Sequence, residues 1–430
     1  MVSTWISFTS LYTAVLLLLM GMGLLGTLLS LKMTLEGFPA QVTGLIMAAY
    51  YAGLTVGSLN CHRLIERVGH IRSFAAFAAV TTATVMLHGL YISPVSWGIL
   101  RFVTGVANIG LYMVIESWLN ECTAPQARGR VFSVYMVLTY LGIGVGQLLL
   151  NLGDTRGLEH FFIVGILLAL CLVPVVATHT VHPELPQTVR FSFVDLFRRA
   201  PLGMLGCVAA GMMNSGFYAM GPVFSSRIGL TVSQVGWFMA VTIFGGLLMQ
   251  WPVGTVSDRF DRTRVLGVMA ASVAVISLLV MTIATGTFIG LLTAMVLLGG
   301  LLFTIYPVAV ARTHDLFEPR DVVPVSAALL MSYSLGATIG PIGASSVMAA
   351  VADPRGIFIY FAIVGGTYAF IVFYCRKKDI VRIVPVEEHV DFIPMRSTSP
   401  VATAIDPRAE PESDDAGAAE KASVEPPLSN

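Results

Sequence analysis

Apolar residues run along this chain in long blocks separated by short polar stretches. A helix crossing lipid needs roughly 20 apolar residues, and twelve stretches meet that length. They lie at about 9–31, 41–60, 73–92, 95–119, 131–151, 160–179, 201–224, 233–256, 265–285, 288–311, 323–348 and 356–375. None shows the short two-residue alternation of a membrane β-barrel. Glycines are spread through the stretches, where small residues let helices approach closely. The pattern predicts an all-α integral membrane protein of twelve transmembrane helices.

Composition agrees. Charged residues are 12% of the 430-residue chain, hydrophobic residues 56%, and mean hydropathy is +0.80. Soluble domains carry about 25% charged residues, so lipid must be the solvent for most of this chain. The N-terminal stretch is too long for a signal peptide and reads as a retained first span. Lys and Arg set the orientation. With the N-terminus in the cytoplasm, the inner loops hold seventeen of them and the outer loops only Lys32, Arg156, Arg227 and Arg355. Both termini are therefore expected in the cytoplasm, in a cell (inner) membrane.

A charged loop occurs twice. Glu66-Arg67 with Arg72 recurs 192 residues later as Asp258-Arg259 with Arg264. The same shift relates Gly44 to Gly236, Met47 to Met239, Ala48 to Ala240, Gly53 to Gly245 and Arg128 to Arg320. A single offset through so many positions indicates a duplicated membrane unit. The expected organisation is two pseudo-symmetric six-helix halves, 1–179 and 201–378. A cytoplasmic linker (180–200) joins them, and a disordered cytoplasmic tail (379–430) follows, rich in Pro, Ala, Ser and acid.

The repeated loop has two readings. It can anchor the protein by the positive-inside rule alone. It can also form a cytoplasmic gate, because each copy places an acid where an arginine of the opposite half could meet it. The gate reading takes in Glu66, Arg67, Arg72, Arg128, Asp258, Arg259, Arg264 and Arg320.

Span four carries a polar stripe. Gly105, Asn108, Tyr112 and Glu116 all fall within about 60° of Arg101 at 100° per residue. A charge near the bilayer centre costs about 2.5–3.5 kcal/mol on the mildest scale, so the stripe should face a cavity or the opposing half. Arg101 and Glu116 are separated by about 22 Å along the helix axis and need separate partners. Glu116 is either a coupling site that takes up a proton from one side and releases it to the other, or an ionised gate residue tied to Arg128 or Arg130. Arg101 is a ligand for an anionic group, an aid to proton release, or a structural hydrogen-bond hub. Gln147, Asn151, Asn214, Tyr218, Gln250, Tyr306 and Tyr333 are the other polar residues noted in spans. Singly each is ordinary helix–helix glue; together they describe a mostly neutral, aromatic-walled cavity. The substrate-cavity or coupling set is thus Arg101, Asn108, Tyr112, Glu116, Gln147, Asn214, Tyr218, Tyr306 and Tyr333.

The second copy of the loop, Gly254-Thr-Val-Ser-Asp258-Arg259-Phe-Asp261-Arg262, resembles the G-x-x-x-D-R-x-G-R signature of the major facilitator superfamily (MFS). The first, His62-Arg-Leu-Ile-Glu66-Arg67-Val-Gly69-His70-Ile-Arg72, is similar with His62 in place of glycine; in the second, Asp261 replaces the later glycine. Arg101-Phe-Val-Thr-Gly105 adds a further family-like motif. The stretches around Gln250-Trp251-Pro252, Tyr306-Pro307 and Tyr333-Ser-Leu-Gly336 resemble the YcaD-type subfamily. The resemblance covers roughly residues 10–378. It implies the MFS fold and a secondary active transporter working by alternating access. A small-molecule substrate, protons and the lipid bilayer are its expected partners, and it is expected to be a monomer. The antiporter mark is incomplete: span five reads Gly142-Ile-Gly144-Val-Gly146-Gln147 without its proline, and Gly336-Ala-Thr-Ile-Gly340-Pro341 stands in span eleven instead. Export by proton coupling is the leading reading; proton-coupled uptake or uniport, and a transporter-like membrane sensor or scaffold signalling through the tail, are the alternatives.

No Walker A sequence, HExxH or other metal spacing occurs, and the five cysteines are scattered. His62, His88, His160, His179, His182, His314 and His389 are isolated. No catalytic residue, metal or cofactor, and no nucleic-acid partner, is expected.

Overall fold

The computed structural model describes residues 2–176, 192–283, 286–378 and 380–408. Twelve long helices follow the expected spans: α1 Val2–Leu35, α2 Ala40–Val68, α3 His70–Leu90, α4 Pro94–Glu121, α5 Arg128–Leu148, α6 Glu159–Leu170, α7 Pro201–Arg227, α8 Val232–Arg259, α9 Arg262–Ile283, α10 Phe288–His314, α11 Val322–Val351 and α12 Gly356–Lys377. A short helix, Leu172–Val176, extends α6 to the length of a span. No strand occurs among the described residues. In hydrocarbon every backbone N–H and C=O must be satisfied within its own segment, which a helix does unaided. Among the described residues, eleven spans are both long and apolar enough to cross a bilayer. The other, α7, is buried along nearly its whole length, so protein rather than lipid surrounds it.

The packing repeats with the sequence. Helices α1 and α5, α2 and α4, and α3 and α6 pair within the first half, as do α7 and α11, α8 and α10, and α9 and α12 in the second. Between halves, α2 meets α11 and α5 meets α8. The duplicated glycines serve these seams. A Cβ on Gly44 of α2 would lie 2.1 Å from Ser345 Oγ and 2.6 Å from Pro341 O of α11. One on Gly236 of α8 would lie 2.8 Å from Gln147 O of α5. Both contacts lie at the end of the bundle near the α1–α2 turn, so the halves are closed there.

The opposite end carries the basic loops. There Arg376 meets Asp261 at 3.0 Å, Arg262 meets Asp315, and Arg199 lies over the Phe317 ring at 5.7 Å. Residues 177–191, which include most of the expected linker 180–200 and the end of the sixth span, lie outside the described residues; the linker's end forms a short helix, Phe193–Arg199, capped by Ser192.

The tail departs from expectation. Over 380–408 it is ordered and packed, entering the bundle between the halves from the basic end; residues 409–430 lie outside the described residues. Ile393, Met395, Val401, Ala402 and Ile405 are buried in the core. Their apolar surface is what the acid- and Ser-rich composition of the tail as a whole obscured.

Candidate functional site

The stripe of α4 faces the space between the halves. Arg101 is 3% exposed, with its guanidinium 4.3 Å from the centre of the Tyr50 ring. Asn108 donates from Nδ2 to Tyr50 Oη at 2.7 Å. Arg101 and Tyr112 line a cavity of about 130 Å³ together with Tyr50, Tyr51, Gln147, Tyr218 and Tyr333. Both halves contribute to it, and its tyrosines stand near the middle of their helices. Arg101 Nε and Asn108 Oδ1 are buried without a hydrogen-bond partner among the described residues. A buried polar atom left in that state costs about 1–3 kcal/mol, so the wall holds polar capacity that the fold does not use.

Glu116 is fully buried. Tyr135 Oη donates to its Oε1 at 2.7 Å, and the Ser399 hydroxyl of the tail donates to Oε2. Among the described residues it forms no ion pair. Arg128 is half-buried with its Nε unpartnered, and Arg130 is exposed, so neither arginine proposed for Glu116 is bound to it.

The remaining candidates divide. Tyr218 and Tyr333 are on the cavity wall. Asn214 donates to Tyr333 Oη at 3.4 Å, and the Tyr306 ring packs edge-on behind Tyr333 at 5.0 Å. Gln147 reaches the cavity but is held by Thr27 and by Gly23 O (3.0 Å) of α1, which makes it helix–helix glue as well. Gln250 of α8 donates to Tyr140 Oη of α5 at 3.0 Å and ties the halves together.

The charged loops do not meet across the halves in this state. Glu66, Arg67, Arg72, Arg259 and Arg264 are exposed and form no ion pair among the described residues. Among the described residues Arg320 pairs only with nearby Glu318, in solvent. The partner of Asp258 is Arg262, four residues on in the same half. Arg262, although it stands in the repeated charged loop, is fully buried: it bridges Asp258 and Asp315 and donates to Ser257 Oγ and Ala311 O. Asp261, which stands where the family signature has glycine, anchors α12 through Arg376.

Sequence reasoning missed the tail. Arg312 donates to Arg382 O, and Arg262 to Val390 O. The amides of Val390 and Phe392 donate to Asp315 and Asp258, each at 3.1 Å. The Phe392 ring fills the space over Gly254, where an added Cβ would stand 2.4 Å from it. Arg396 then enters the cavity, its guanidinium 5.7 Å from the Tyr140 ring centre and 5.5 Å from that of Tyr218, with a 3.3 Å hydrogen bond to Tyr218 Oη. Beyond Ser399, Pro407 lies over Gly129, where an added Cβ would stand 3.7 Å from its ring.

The sequence model of the Major Facilitator Superfamily matches residues 11–305 and 226–407. An uncharacterized MFS-type transporter of Yersinia enterocolitica is 30% identical over 85% of this chain and 94% of its own length. The uncharacterized MFS-type transporter YcaD of Escherichia fergusonii is 31% identical over 83% and 93%. Among solved structures, the nucleoside transporter NupG superposes with TM-score 0.72 at 13% identity, covering 86% of this chain and 99% of that one. A bacterial homolog of the human lysosomal transporter Spinster, inward-facing and unoccupied, gives TM-score 0.69 at 14% identity over 88% and 98%. The duplicated halves, the repeated loop and these matches together establish that the chain belongs to the Major Facilitator Superfamily.

Proposed function

We propose that this protein is a secondary active transporter that carries small organic molecules by alternating access, coupled to protons and working in export. The supporting observation is the cavity: it lies near mid-depth and is walled by both halves, and a buried carboxyl group, Glu116, stands one turn beyond its lining residue Tyr112 on α4. The basic face is the cytoplasmic one, and the halves, closed at the other end, are in an inward-facing arrangement.

Glu116 is the coupling site in this reading. A carboxylate held by hydroxyl groups and a backbone amide can exchange its charge for a proton without breaking an ion pair, whereas a gate residue would have one to break. Arg101 and Asn108 offer unused polar atoms to the cargo. The Asp258 loop belongs to the inner gate and forms its cross-half contacts only when the inside closes.

A screen of solutes in proteoliposomes with an imposed pH gradient tests the reading. Accumulation of a solute against its gradient, reversed when the pH gradient is reversed, is expected; solute movement indifferent to the gradient would make the protein a uniporter. One observation favours a second reading: a docked tail displaced by a ligand would make a membrane sensor. Such a protein would bind solute and move its tail with no flux at all.

A further inference from the structure

Arg396 lines the cavity, as do Ser397, Thr398 and Pro400 of the tail. It is held by the faces of two tyrosines, and these come from different halves: Tyr140 from α5 and Tyr218 from α7. No carboxylate pairs with it among the described residues, and its Nη1 is buried without a partner. The cage therefore accepts an organic cation through ring faces and a phenolic oxygen alone, the arrangement that aromatic rings offer a desolvated cation. A position shared by the two halves is also where cargo has to sit if both access states are to touch it.

Three residues on, Ser399 covers Glu116. The backbone between Val390 and Phe392 occupies Asp258, Arg262 and Asp315 at the basic end. One continuous segment thus fills the cage, the buried carboxyl and the route to them. Its contacts fall on both halves, so it holds them in the arrangement seen.

Resting on the transporter reading, we infer that residues 380–408 are a pseudosubstrate plug: Arg396 stands in for the cargo, which is a small planar or aromatic-bearing organic cation. Replacing Arg396 by such a cation leaves the charge of the cavity unchanged, with Arg101 and Glu116 as before. The tether keeps the plug at an effective concentration in the millimolar range, so cargo binds well only when the tail leaves.

The test uses three probes of nearly one shape: benzamidinium, neutral benzamide and anionic benzoate. Binding to the purified full-length protein is measured by calorimetry, with folding checked by size exclusion. Arg396→Ala should bind benzamidinium at least tenfold more tightly than the wild type and show no such gain for benzamide or benzoate. Adding Tyr218→Leu should abolish the gain. Phe392→Asp, which sets a like charge beside Asp258 and unseats the tail without touching the cage, should reproduce it. Unchanged benzamidinium binding in both tail variants would overturn the plug. A gain for benzoate instead would overturn the cation assignment. Neither binding result depends on flux: a protein that gains benzamidinium binding yet transports nothing would refute the transporter reading alone.

Discussion

Gly44 offers the most direct lever on the conformational equilibrium. In the state described, its α-carbon faces α11 so closely that a methyl group would meet Ser345 Oγ at 2.1 Å and Pro341 O at 2.6 Å. The serine hydroxyl can turn away, but the carbonyl is backbone and cannot. Overpacking of this kind costs about 1–3 kcal/mol. The cost applies only while the halves are closed at that end, so Gly44→Ala should favour the opposite access state by roughly 5–150-fold. Spin labels at Gln41 and Val351, both exposed at the closed end, placed in a background without native cysteines, would report the separation of α2 from α11 by pulsed electron–electron resonance. A longer-distance population should appear in Gly44→Ala. Gly236→Ala, whose Cβ contact is 2.8 Å, should produce a smaller one. Gly26→Ala, with nothing within 4 Å of its Cβ, should produce none. An unchanged distance distribution in a folded Gly44→Ala protein would refute the assignment of this seam as the outer closure.

Further outcomes follow from the charged network. Arg262→Met leaves the Asp315 side chain buried and unpaired, which should cost about 3–5 kcal/mol and appear as a clear fall in thermal unfolding temperature; Asp258→Asn, at a side chain 39% exposed, should cost far less. Asp258→Asn should nevertheless lower flux by weakening inside closure, and full flux in a well-expressed variant would remove the loop from the gate. Asp261→Asn breaks the partly exposed pair with Arg376 and should cost no more than about 1 kcal/mol by the same thermal assay.

Much of this architecture was legible in the chain. The twelve apolar blocks reappear as the membrane helices, because in lipid the span is its own folding unit; which helices pair was not read from them. The α4 stripe was readable for the same reason: a helix fixes which residues share a face before any neighbour is known. Partners were not. Asp258 pairs within its half and Glu116 with hydroxyl groups, since those contacts depend on which access state the halves adopt and on a segment 283 residues away. Tyr50 and Tyr140 passed unnoticed because a tyrosine in an apolar span looks like packing until something polar is found opposite it. The tail was misread as a unit. Its first part alternates Val381, Ile383, Val390, Phe392, Ile393 and Met395 with polar residues, and only after Arg408 does acid take over; that change of composition was the available signal.

The central claim, a proton-coupled carrier whose coupling group is Glu116, is tested most directly by Glu116→Gln in proteoliposomes. Wild-type protein should drive uphill accumulation of its cargo under an imposed pH gradient. The variant should keep solute exchange at equal concentrations on the two sides while losing accumulation. Undiminished gradient-driven accumulation in Glu116→Gln would contradict the account.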